Sequence, residues 1–258
     1  MPPELDIYHS PTQLFRSAAE DFVRLASDAI AAKGSFTVAL SGGSTPRGMH
    51  SVLANDFARA VPWKKVFFFW GDERHVPPDH PDSNYRMAHE TLLSKVPVDL
   101  TKVFRVHSEN PDANTAAIEY EQTITTVFGT QDREIPRFDL IFLGLGPDGH
   151  CASLFPRTAA LREHSRLVVA NRVEKLKTDR ITFTLPLLNN AANVIFLVSG
   201  QDKTDAVQSV FDPDTSGQDF PAKLVNPPHG RLVWKLTEDA AAPLSPRVAA
   251  ANVKNNQR

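Results

Sequence analysis

Four short runs in this chain are apolar at nearly every position: FTVAL (36–40), VFFFW (66–70), FDLIFL (138–143) and VIFLV (194–198). A strand with one wet face alternates apolar and polar side chains, so a run without alternation needs cover on both faces. Amphipathic stretches of helical period separate the runs. The pattern predicts an α/β fold: a mostly parallel open sheet sandwiched between helices, in three αβα layers.

The helical stretches have readable ends. Across 12–33, residues Leu14, Phe15, Ala18, Phe22, Leu25, Ala29 and Ile30 share one face, with Thr12 as the cap and Gly34 as the stop. Met49, Val52, Leu53 and Phe57 repeat the spacing across 47–59. Further helices are expected at 84–93, at 112–128 with Ile118, Val127 and Phe128 as apolar markers, and at 201–211. Short strands are expected at 103–106, 167–170, 181–185 and 232–235, and a long loop at 212–228. Residues 1–258 read as a single domain, with a frayed tail after about 237.

Charge and composition narrow the partners. The formal net charge is -2, which gives no wholesale attraction to nucleic acid or to an anionic membrane. No run reaches the roughly 18 apolar residues of a membrane span. The first residues, MPPELDIYHS, lack the basic and apolar regions of a signal peptide, and one cysteine, Cys151, cannot form an internal disulfide. A cytoplasmic protein is expected, as a monomer or a small homo-oligomer. The nine histidines include no HExxH spacing and there is no CxxC, so no metal site is expected.

In open parallel sheets, ligands bind beyond the carboxyl ends of the strands. Three unusual loops fall at such ends. The first is SGGSTP, 41–46. Gly42 and Gly43 let backbone N–H groups approach an anion, Ser44 and Thr45 add hydroxyls, and a helix N-terminus favours phosphate. The plain alternative is a glycine turn with a capping hydroxyl. The loop is neither a Walker loop nor GxGxxG, so no nucleotide is indicated.

The second loop opens GDERH, 71–75. Arg74 suits a phosphate or a developing oxyanion, and Asp72 is placed to orient it, although a solvated charge run is the plain reading. Ser83 and Asn84 can cap the next helix. The third is GLGPDGH, 144–150. His150 is the residue type best suited to take a proton near neutral pH, and Asp148 can hold its tautomer. Cys151 beside it reads as structural, because adjacent side chains point apart. Arg180 and Lys203 lie near the same sheet edge and can complete a phosphate clamp, or serve as surface charges.

Taken together, the segments ALSGGSTPRGMHSVLA, FFFWGDERHVPPDHPDSNYRMAHETLL, FDLIFLGLGPDGHCASLFP and DRITFTLPLLNNAANVIFLVSGQDK resemble the glucosamine-6-phosphate isomerase/6-phosphogluconolactonase family, in order and spacing. Arg74 and SLFP resemble the lactonase branch; the deaminase branch carries an aromatic at the first position and FNEP-like residues at the second. Cys151, where threonine is common, and Arg157, where glycine is frequent, depart from the pattern. The resemblance implies hydrolysis of 6-phospho-D-glucono-1,5-lactone to 6-phospho-D-gluconate in the oxidative pentose phosphate pathway, without cofactor or metal. His150 would activate water with Asp148 orienting it, and Arg74 would stabilise the oxyanion or hold the phosphate. Gly42, Gly43, Ser44, Thr45, Asp72, Arg180 and Lys203 would bind the phosphosugar lactone. Two rivals stay open: a glucosamine-6-phosphate deaminase, and a non-enzymatic sugar-phosphate sensor, for which no helix-turn-helix segment is visible.

Overall fold

A computed structural model describes residues 3–131 and 134–244 of the chain. Six strands form one parallel sheet in the order β1-β9-β8-β5-β2-β3: Glu4–Tyr8 (β1), Phe36–Leu40 (β2), Val66–Trp70 (β3), Leu140–Leu143 (β5), Asn193–Val198 (β8) and Arg231–Thr237 (β9). The expected sandwich is therefore present. Successive side chains of each central strand feed opposite cores. Ala39, Phe69, Ile141, Leu143 and Phe196 pack on one side, while Val38, Leu40, Phe68, Leu140, Phe142 and Ile195 pack on the other. The pleat sends neighbours to opposite faces, so a strand covered on both must be apolar throughout.

Helices α1 (Pro11–Lys33) and α2 (Ser44–Asp56) cover one face through Leu14, Ala18, Phe22, Met49 and Leu53. The other face holds α4 (Ala113–Phe128), α5 (Leu185–Asn189) and α6 (Thr204–Phe211). A second, antiparallel sheet lies on this side, in the order β4-β7-β6: Asp72–Arg74 (β4), Thr178–Phe183 (β7) and Val168–Val173 (β6). The expected strands at 167–170 and 181–185 overlap β6 and β7, whereas the separate sheet and the strands β1 and β4 have no counterpart among the expected elements.

Several local expectations need correction. The cap of α1 is Ser10, whose Oγ accepts from the Gln13 N–H at 3.3 Å, with Pro11 in the first turn; it is not Thr12. Gly34 does end the helix, at φ 84. Helix α2 begins three residues earlier than expected, so Ser44 and Thr45 belong to its first turn. The 84–93 stretch is a short helix α3 (Asn84–Ala88) running into a π turn (His89–Leu93). Residues 103–106 form no strand beyond a single Val103–Phe68 bridge. In α4, Ile118 faces solvent at 42% exposure, and Ala116, Ala117, Tyr120 and Ile124 form the buried stripe. The chain beyond 237 continues as α7 (Glu238–Ala241), which buries Ala240 and Ala241; the rest of the expected frayed tail, 245–258, lies outside the described residues.

Candidate active site

Strands β5 and β2 are neighbours at the centre of the sheet, and β3 lies beside β2 at one edge. The segments leaving their carboxyl ends meet in a cavity of about 470 Å3. Open α/β sheets place their ligand crevice at such a junction. Eight of the ten residues proposed from sequence line it: Gly42, Gly43, Asp72, Arg74, Asp148, His150, Arg180 and Lys203. The other two, Ser44 and Thr45, do not. Thr45 is buried with its Oγ1 3.0 Å from Ser199 Oγ, which ties α2 to the end of β8, and Ser44 opens α2. Gly43 precedes them at φ 107, a conformation open to glycine. It enters α2 with no capping side chain, which leaves first-turn N–H groups for an anion.

The third loop supplies a dyad. Asp148 Oδ1 lies 2.5 Å from His150 Nδ1. A carboxylate only accepts, which assigns the proton to Nδ1 and leaves the Nε2 lone pair free. Phe155 stacks on the imidazole, with ring centroids 4.1 Å apart. Gly146 makes room for the pair: a Cβ there would sit 2.0 Å from His150 Nδ1 and 2.8 Å from Asp148 Oδ1. The imidazole's pKa is lowered to about 4, chiefly by burial. Asp72 pulls it upward, while Lys203, Arg180 and Arg74 push it down. The ring is neutral at pH 7, as a base must be.

The second loop folds as β4. Arg74 stands directly across from Arg180 of β7 in the antiparallel register. Like charges in that position destabilise a sheet unless an anion joins them. The Arg180 guanidinium has no hydrogen-bond partner among the described residues, and its pKa is lowered by burial and by Arg74. Arg74 Nη1 donates to the Asp82 carbonyl at 2.8 Å. Asp72 does not orient Arg74, contrary to the sequence reading. Its carboxylate accepts from Ser153 Oγ at 2.6 Å and Asn84 Nδ2 at 3.4 Å.

Glu73, 1% exposed, went unnoticed in the sequence. Its two oxygens accept from the backbone N–H groups of Arg74, Asn84 and Tyr85 and from Ser83 Oγ, so it stitches the GDER turn to the start of α3. Burial pushes its carboxyl upward against those four bonds. Ser153 and Lys175 were also missed. Serines and lysines are too common to stand out; Ser153 lies in the SLFP segment, but nothing there marks its hydroxyl as the partner of Asp72. Cys151 is buried, and desolvation together with Asp72 pushes its thiol well up, which keeps it an unreactive neighbour of His150. Among the described residues, no three His, Cys, Asp or Glu side chains converge as metal ligands do.

Fold and cavity define a class: an open parallel α/β protein whose switch-point cavity pairs a carboxylate-held histidine with a group of cations. The chain belongs to the family of glucosamine-6-phosphate isomerases/6-phosphogluconolactonase, whose model matches residues 9–234. It is 40% identical to a 6-phosphogluconolactonase of Synechocystis sp., over 95% of this chain and 100% of that protein. The solved 6-phosphogluconolactonase from Trypanosoma cruzi superposes with a TM-score of 0.84 at 31% identity, covering 95% of this chain and 97% of that one. A monomeric glucosamine-6-phosphate deaminase superposes with a TM-score of 0.77 over 93% of this chain and 99% of that one; at 18% identity this is a likeness of fold alone.

Proposed function

We propose that this chain hydrolyses 6-phospho-D-glucono-1,5-lactone to 6-phospho-D-gluconate, a step of the oxidative pentose phosphate pathway. One observation carries the reading: a neutral, carboxylate-held histidine and a facing arginine pair share a single cavity. A neutral imidazole can take a proton from water, and a cluster of cations can hold a phosphate and a developing oxyanion. The relatives' names supply the substrate.

In the proposed sequence, the phosphate docks among Arg180, Lys203 and the turn from Gly42 to Thr45 that opens α2. His150 Nε2 takes a proton from water as the water oxygen attacks the lactone carbonyl. A cation near the carbonyl, Arg74 on our assignment, stabilises the tetrahedral oxyanion. The C–O bond of the ring then breaks, and His150 returns its proton to the departing oxygen. Asp148 holds the imidazole throughout and stabilises its charged form. A positioned base contributes about 10²–10⁴-fold and an oxyanion donor about 10²–10³-fold, so no covalent intermediate is needed.

The cavity is lined by residues of one chain, and the protein is assigned as a monomer or a small homo-oligomer. No described helix is long and apolar enough to cross a membrane, and with one buried free cysteine we assign the protein to the cytoplasm.

The test generates the lactone from glucose 6-phosphate with its dehydrogenase and follows 6-phosphogluconate with a second dehydrogenase. The wild type should exceed the spontaneous rate, and His150→Ala should lose at least about 10²-fold without a change in melting. Full activity in His150→Ala removes the base assignment. No wild-type acceleration removes the reaction.

A further inference from the structure

Lys175 sits in the turn between β6 and β7, which also brings Leu176 to the cavity. Its Nζ is ion-paired with Asp148 Oδ2, while the other oxygen, Oδ1, meets His150 Nδ1. The same Nζ lies 4.9 Å from the centroid of the Phe155 ring that stacks on His150. Ammonium, carboxylate, imidazole and phenyl thus form one closed cluster.

We propose that Lys175 is a positioning residue for the base: it pins the outer oxygen of Asp148 so that the inner oxygen stays on His150 Nδ1. This inference rests on the reading of His150 as base. Oδ1 also accepts from the His150 backbone N–H at 3.3 Å. The terminal torsion of an aspartate is broad and roughly two-fold, so bonds that all end on one oxygen do not hold the carboxylate's plane. A bond to Oδ2 from the far side does. Lys175 is 54% exposed, and an exposed ion pair adds little to stability. Its value is therefore in orientation.

Lys175 also sets charge. His150 faces Asp72 and Arg74 from β4, Arg180 from β7, Lys203 beyond β8 and Asp148 from its own loop. Lys175 faces Asp148, with Glu174 its acidic chain neighbour. Removing the ammonium leaves the Asp148 charge acting on the imidazole alone. The acid limb of kcat/KM should then move upward.

The experiment measures kcat, KM and the pH profile for wild type, Lys175→Met, Lys175→Arg and His150→Ala, with melting curves for each. Lys175→Met should lose about tenfold or more in kcat, hold KM within about twofold and raise the acid limb by about one pH unit. Lys175→Arg should restore most of both. A raised KM with kcat and limb unchanged overturns the proposal and makes Lys175 a substrate ligand. Wild-type behaviour of Lys175→Met beside an inactive His150→Ala overturns the proposal alone. An active His150→Ala overturns the base reading itself.

Discussion

In β3, four of five residues are buried and all are apolar; two residues past its end, β4 reads Asp72, Glu73, Arg74. Both are strands, yet they solve different problems. The parallel sheet excludes water, and its contribution to the site is geometric: it lines up three loops at one edge. The small antiparallel sheet carries its functional groups within the strands themselves. There Arg74 and Arg180 oppose each other. That pairing works against the folded state and in favour of an anionic ligand. The difference teaches where the two parts of the site come from. The histidine of the proposed base arrives on a loop of the parallel sheet, and the arginines of the proposed anion clamp stand within the antiparallel one.

This division predicts different signatures for damage on each side. Next to the loss expected for His150→Ala, the largest effect should come from Gly146→Ala, in a loop of the parallel sheet. Its Cβ would displace the imidazole from Asp148, and kcat should fall about 10²-fold with KM nearly kept. Unchanged kcat would show that the dyad tolerates movement.

Arg180→Met, in the small sheet, should do the reverse. Loss of a charged hydrogen-bonding group costs about 1.5–3 kcal/mol, so KM should rise about 10- to 100-fold. Melting should hold or improve as the like-charge pair disappears. A clear fall in melting temperature would make Arg180 a structural residue and erase the contrast between the sheets.

The same variant sharpens the electrostatics. A base with a pKa of about 4 keeps kcat/KM intact well below pH 6.5. Removing Arg180 takes away one of the charges that depress it, so the acid limb should move upward. Linkage gives the matching stability trend. The unfolded chain binds the His150 proton first, so this contribution to stability is present above pH 6.5 and is lost as pH falls from there towards about 4. A limb that stays in place in Arg180→Met would separate Arg180 from the base.

The smallest effect should be Arg157→Gly. Arg157 holds φ 60, where glycine is unstrained, and its exposed side chain pairs with Asp219 at 2.6 Å. The two changes oppose, so activity should be unchanged and melting should move little or rise. A large loss would mean that the Asp219 pair anchors the loop carrying Cys151 and Phe155.

Much of the site was legible because chemistry and position coincide in the three loops. Glycines, an arginine and a histidine cluster after apolar runs, and strand ends are where α/β proteins bind ligands. Ser44 and Thr45 read as loop rather than helix because α2 starts earlier than its apolar spacing shows; its first turn is polar and carries no periodic signal. Ile118 misled because a helix face is defined by its neighbours, and in α4 the small residues Ala116 and Ala117 face the core.

By itself the sequence determined the layered α/β plan, the strand ends whose loops meet in the cavity, and the Asp148–His150 pairing. Each is a local pattern: burial repeats along the strand or helix, and Asp148 and His150 are two residues apart. Only the tertiary structure decided that Arg74 faces Arg180, that Asp72 answers to Ser153 81 residues away, and that Lys175 closes on Asp148. Those partners lie on different segments, and periodicity records how deeply a residue is buried but not what it is buried against.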